Sequence, residues 1–214
     1  MRILLLLIEL LLVYGSASAH AAQLTTLSVR GEVTVQSWKA LRDAHVVKQD
    51  SDYSCGAASL ATLLNEFYGL SLTEEQILKD MNKPDMMANF GDMARVVNRY
   101  GFKSGGVALS YEQLAKLTVP VLVYLQHRGE DHFSVLRGIS ATQVQLADPS
   151  WGNRIFSKGQ FLAMWETRED EKLKGKILLV LPQKADVFMP RSEFFAPPTS
   201  SSVAIEILTD RRNR

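Results

Sequence analysis

A single cysteine, Cys55, lies in "QDSDYSCGAASLATLL", where a polar loop gives way to an apolar run rich in alanine and leucine. At the first turn of a helix, unpaired backbone N–H groups and the positive end of the dipole favour a thiolate over a thiol. An isolated cysteine beside alanines also reads as a small buried hydrophobe, so its company decides. A thiolate attacking a carbonyl needs an imidazole to manage the proton, a group to orient that imidazole, and donors for the oxyanion. His132 opens the run "HFSVLRGI", Asp148 closes "TQVQLAD", and Gln49 stands in the loop entering the Cys55 helix. If the two runs are arms of a hairpin, their outer ends lie side by side and the carboxylate reaches the imidazole. Gln49 can then complete an oxyanion hole with the backbone N–H of Cys55. His45 and His127 are the competing histidines, and each of these residues alone has a bland alternative: Asp148 before Pro149 is a turn residue.

The elements that must hold these groups follow from hydrophobic period. Alternating Leu27, Val29, Val33 and Val35 predict a strand pair over residues 20–36, turning at Gly31. "SWKALRD" reads as a short helix and "HVVKQ" as a strand. From Cys55, the positions Ala58, Leu60, Ala61, Leu63, Leu64 and Phe67 form a broad apolar helical face that ends at Gly69. Thr73 and Gln76 form a capping box for a second helix, stopped by Pro84, and a third runs from Phe90 to Tyr100, closed by Gly101. The period then changes. "VPVLVYL" (119–125), "HFSVLRGI" (132–139), "TQVQLAD" (142–148) and "KILLVLP" (176–182) are rich in branched residues and separated by glycine, charge or proline, which predicts strands. Short links between the middle strands suit hairpins better than crossovers. The fold class is therefore α+β, an N-terminal helical lobe packed on a mostly antiparallel sheet.

Composition bounds the rest. A content of 46% hydrophobic and 22% charged residues is globular, and a formal net charge of +1 with interspersed signs offers no stripe for nucleic acid. Residues 1–19 combine Arg2, an apolar run from Ile3 to Val13 interrupted by Glu9, and Ala17 and Ala19 before a cut, the layout of a secretory signal peptide. The expected location is periplasmic or secreted, with a mature chain that does not span a membrane; an uncleaved anchor is the alternative. In an oxidising compartment cysteines normally pair, so an unpaired Cys55 is either inert or a working thiol. The expected core domain covers 37–182, and residues 183–214, with "APPTSSS" and a basic end, read as a loosely structured tail.

"VVKQDSDYSCGAASLATLL", "DHFSVLRGI" and "VQLADPSWGN" resemble, in order and content, the three motifs of the C39 peptidases, papain-like enzymes best known for removing leader peptides from bacteriocin precursors. The resemblance runs from about Ser37 to Pro182. It implies a papain-like fold, no metal or organic cofactor, and roles residue by residue: Cys55 as nucleophile, His132 as general base and then acid, Asp148 as orienting carboxylate, Gln49 as oxyanion donor. Exporter-type members are cytosolic and fused to a membrane region and an ATPase. With its signal segment, this sequence is more similar to the stand-alone exported forms, including the one that accompanies functional-amyloid secretion. The implied partner is a secreted peptide or protein, an amyloid or bacteriocin-like precursor, cut after small residues of the Gly-Gly kind. Two other classes share these residues: a C39-like module that binds peptides without turnover, and a papain-like amidase or transglutaminase.

Overall fold

The structure is a computed structural model that describes residues 21–25, 30–34, 37–83, 86–184 and 187–198. Residues 1–19, read as a signal peptide, lie outside the described residues, and among the described residues no helix is long and apolar enough to cross a membrane. The chain divides into two compact units, Met1–Leu41 and Arg42–Arg214. The first contains an antiparallel pair, β1 (Ala21–Thr25) and β2 (Arg30–Thr34). Gly31 is not the turn: it sits inside β2 opposite Leu24, and Thr25 pairs with Arg30. Leu27, Val29 and Val35, read as strand residues, lie outside the described residues. Helix α1 (Trp38–Asp43) follows, its first turn capped where Ser37 Oγ accepts the Ala40 N–H at 3.0 Å.

The second unit is built on one six-stranded sheet, ordered β3-β8-β4-β5-β6-β7, with every pair antiparallel. Its strands are β3 (Phe102–Leu109), β4 (Val121–His127), β5 (Glu130–Ile139), β6 (Gln143–Asp148), β7 (Gly152–Ser157) and β8 (Gly175–Pro182). Helices α2 (Cys55–Thr62), α3 (Glu74–Met81) and α4 (Phe90–Arg99) precede it in the chain. The α2 helix continues through a π-helical turn, Leu63–Phe67, and ends near Gly69 at φ +78. The Thr73–Gln76 capping box forms as expected. Pro84 lies outside the described residues; α3 ends at Asn82, which takes the left-handed conformation.

Both faces of the sheet are covered. Leu122, Phe133, Val135, Ala147 and Leu178 share a core with α2, α3 and α4, whereas Val121, Val123, Leu125, Leu136, Val144 and Leu146 share another with α5 (Tyr111–Leu114) and α6 (Lys158–Trp165). Successive side chains of β4 therefore alternate between two apolar environments, which is why the strand reads as an unbroken apolar run. The second helical layer, with β3 and β7, goes beyond the expected lobe on a sheet. The Ser157–Gln160 capping box of α6 was a sequence signal of the same kind as Thr73–Gln76.

Two expectations fail. "HVVKQ" forms no strand, because its backbone is engaged elsewhere: Val47 N–H donates to Thr62 Oγ1 at 2.9 Å, and Gln49 N–H donates to Pro149 O at 3.2 Å. Nor are residues 187–198 a loose tail. Phe188 stacks on Phe102 with ring centres 4.4 Å apart, Arg191 N–H donates to Phe67 O, Phe194 is buried under the Arg137 guanidinium, and Ala196 N–H donates to Arg137 O. Aromatic side chains dispersed along a segment without helical or strand period dock it without leaving a periodic signal.

Candidate active site

Helix α2 lies across β5 and is fixed there by the Ser59 hydroxyl, which donates to Phe133 O at 3.0 Å. This brings the start of α2 to the end of β5 that carries His132. Packing is close at Gly56, where a Cβ would stand 3.4 Å from Phe133 and 2.5 Å from Met93 Cε, the movable end of a flexible side chain. Strands β5 and β6 pair as the hairpin reading expects, with Val135 opposite Ala147. Continuing that register by one sets Asp148 opposite Ser134, so His132, two residues on along the same pleated face, is its diagonal neighbour.

His132 Nε2 bonds Asp148 Oδ2 at 2.8 Å. The other carboxylate oxygen, Oδ1, accepts the backbone N–H groups of Ser150 and Trp151, each at 2.9 Å. Asp148 is fully buried, and the turn behind it is the structure that satisfies it. Gly152 closes this turn at φ +76, where a Cβ would meet Arg42 O at 2.5 Å, so glycine is required on two counts.

Three of the four sequence-derived residues, Cys55, His132 and Asp148, form a chain of contacts. Burial works against a charge on His132, yet hydrogen bonds to Asp148 and to Cys55 outweigh it and raise the imidazole to about 9. With Nε2 committed to the carboxylate, Nδ1 is the nitrogen left for the thiol. The ring of Trp151 stacks on His132 with centres 5.5 Å apart, and His127 meets the same indole edge-on at 5.1 Å. His45, the other competing histidine, bonds Glu66 at 2.7 Å and takes no part in these contacts.

Gln49 joins the turn that carries Asp148. Its Nε2 donates to Ser51 O at 2.9 Å and its Oε1 accepts from Ser150 Oγ at 2.6 Å, while Glu74, nearly buried at the start of α3, accepts the Asp50 N–H. Sequence reasoning missed Ser150, Trp151 and Glu74 as parts of the site. Two of them were in view inside "ADPSWGN".

A cleft of about 640 Å³ opens over these groups, lined by Gln49, Asp52, Tyr53, Met87, His132 and Trp151 among others. Beyond Trp151 it adjoins a second hollow of about 520 Å³, bounded by Arg128, Arg154 and Phe156. Cys55 is fully buried and does not line the cleft; His132 and Gln49 do. Among the described residues, no group of three or more His, Cys, Asp or Glu side chains is arranged to hold a metal ion.

Comparison with known proteins places this geometry. The chain is 35% identical over 138 residues to the probable functional amyloid protease FapD of Pseudomonas fluorescens, and 34% identical over 138 residues to that of Pseudomonas aeruginosa. Each match covers 61% of this chain and 61% of the relative, so the chain spans about three-fifths of the length of these curated relatives. Among solved structures, the peptidase domain of Streptococcus ComA, a bi-functional ABC transporter, superposes with a TM-score of 0.54 at 19% identity, covering 64% of this chain and 98% of that one. A double glycine motif protease from an AMS/PCAT transporter, solved with its leader peptide, gives 0.51 at 24% identity, covering 64% and 90%. At those identities the likeness establishes the fold. The model of the peptidase C39 family matches residues 43–168, more than half the sequence, and the chain belongs to that family.

Proposed function

We propose that this protein is an exported cysteine endopeptidase that cuts a secreted peptide or protein. The single observation that supports it most is the 2.8 Å bond between His132 Nε2 and the buried Asp148, which holds the imidazole with its other nitrogen toward Cys55. In the reaction, His132 Nδ1 takes the thiol proton and the sulfur adds to the scissile carbonyl carbon. The carbonyl electron pair moves to oxygen, where the backbone N–H of Cys55 and the Gln49 amide receive it. Collapse of that intermediate expels the amine, which takes the proton from His132, and leaves a thioester. Water, deprotonated by the same imidazole, then attacks the thioester and returns the thiol. Asp148 holds the ring and offsets the imidazolium charge.

Family membership favours a cut after a small-residue pair of the Gly-Gly kind. The relatives named as functional amyloid proteases favour a co-exported amyloid precursor as substrate, and the signal segment favours the periplasm as the place. A peptide electrophile ending in Gly-Gly tests the proposal: mass spectrometry is expected to find the adduct on Cys55 in the wild type and not in His132→Ala. Equal labelling of both variants would overturn the mechanism. The full burial of Cys55 favours one competing reading, a cleft that binds peptide without turnover. On that reading small-residue peptides bind reversibly, and neither adduct nor cleavage product forms.

A further inference from the structure

The residue that joins the two halves of the site is Ser150. Its backbone N–H donates to Asp148 Oδ1 at 2.9 Å, and its hydroxyl lies 2.6 Å from Gln49 Oε1. The direction of that second bond is fixed by chemistry. The other end of the Gln49 amide faces Ser51 O at 2.9 Å, and a carbonyl oxygen can only accept, so the amide nitrogen must be there. The amide oxygen then faces Ser150, whose hydroxyl must donate. Two further bonds tie the same loops together: Gln49 N–H to Pro149 O at 3.2 Å, and Lys48 Nζ to Ser150 O at 2.7 Å.

We propose that Ser150 is a positioning residue that sets the orientation of the Gln49 amide and couples it to the Asp148 turn. One N–H of Gln49 Nε2 is spent on Ser51 O; the other is thereby aimed at the oxyanion. Without the hydroxyl, Oε1 loses its donor and the amide can turn away, while Cys55, His132 and Asp148 keep their own contacts. This rests on the assignment of Cys55 as nucleophile and Gln49 as oxyanion donor made above.

Two reagents separate the steps. Iodoacetamide is attacked at a saturated carbon and creates no oxyanion, so its rate reports the thiolate. A peptide aldehyde ending in Gly-Gly adds the Cys55 sulfur at its carbonyl carbon, with the electron pair passing to oxygen, so its affinity also reports the oxyanion donors. In the full chain, Ser150→Ala is expected to weaken aldehyde binding about tenfold, the scale of one lost hydrogen bond, with the alkylation rate held. Ser150→Thr, which keeps the hydroxyl, should restore it. In a Gln49→Ala background Ser150→Ala should add nothing, because the residue acts through Gln49. Unchanged aldehyde affinity in Ser150→Ala, an equal fall in both assays, or full additivity with Gln49→Ala overturns the coupling and leaves Cys55 as nucleophile. A wild-type thiol inert to both reagents overturns the nucleophile assignment and the coupling with it.

Discussion

Helix α2 begins differently from the four helices that follow it. At α3, α4, α5 and α6 the cap residue accepts from the N3 backbone and the N3 side chain reaches back: Thr73 with Gln76, Asn89 with Asp92, Ser110 with Gln113, Ser157 with Gln160. At α2 the cap residue is also a serine, but Ser54 makes no capping bond; its hydroxyl donates backwards to Ser51 O at 2.6 Å. A hydroxyl able to cap is thus turned away, and the buried first turn beside Cys55 has no side-chain cap. Helices that only support the sheet close their ends internally. The helix that carries the thiol begins without a side-chain cap.

The contrast between capped and uncapped helix starts can be broken by mutation, beginning where the effect is largest. Cys55→Ala should abolish turnover with the fold intact, and His132→Ala should come close to it, as measured by product formation and circular dichroism. Asp148→Asn is expected to be severe, approaching the roughly 10⁴-fold loss in kcat known when a triad carboxylate becomes an amide. Both oxygens of Asp148 accept N–H groups here, and an amide has one acceptor: it either presents NH₂ to His132 and inverts the tautomer, or sets donors against Ser150 and Trp151. Papain-like enzymes that use asparagine would suggest a mild effect, so this variant discriminates sharply.

Gln49→Ala should lower kcat by about 10²–10³ with KM little changed. Ending the chain at Gln183 should cost about 3–5 kcal/mol, the scale of emptying a buried aromatic site, and lower Tm by on the order of 10 °C, read by thermal melts. Smallest in effect is Thr73→Ala, which should cost about 1 kcal/mol with activity kept, whereas Ser54→Ala should lower kcat more than it lowers Tm.

The imidazole adds a pH signature. Its folded value of about 9 lies above the ordinary 6.5, so its contribution to stability is fully present below 6.5 and disappears as pH rises through 9. Melts across that window should show a loss of Tm in the wild type that His132→Ala lacks.

How much of this was legible follows from what each signal measures. Strands β4, β5, β6 and β8 announce themselves through branched residues, and the hairpin that brings His132 to Asp148 follows from short connections. β7 was missed because it is an edge strand with Asn153, Arg154 and exposed Ile155, without the apolar run of a covered strand. β3 was missed because Gly105 and Gly106 dilute its pattern. The extended segment before Gln49 looked like a strand, since valines that pack on a core look alike whether their backbones bond a ladder or Thr62. Cys55, His132, Asp148 and Gln49 could be singled out by chemistry. Ser150 could not, because its part depends on which atom of an amide faces it.

Because β5 is covered on both faces, its register carries a consequence for how the molecule can be assayed. A slip of one residue would move Phe133 and Val135 into the wrong core and swing His132 away from Asp148 at the same stroke. The bulge between Leu136 and Gly138 pins that register, and Gly138 is sealed by Ala196 O, 2.0 Å from where a Cβ would stand. Misthreaded chains are therefore silent ones. In a refolding experiment the fraction of chains whose Cys55 adds to the Gly-Gly aldehyde is expected to count the correctly registered molecules.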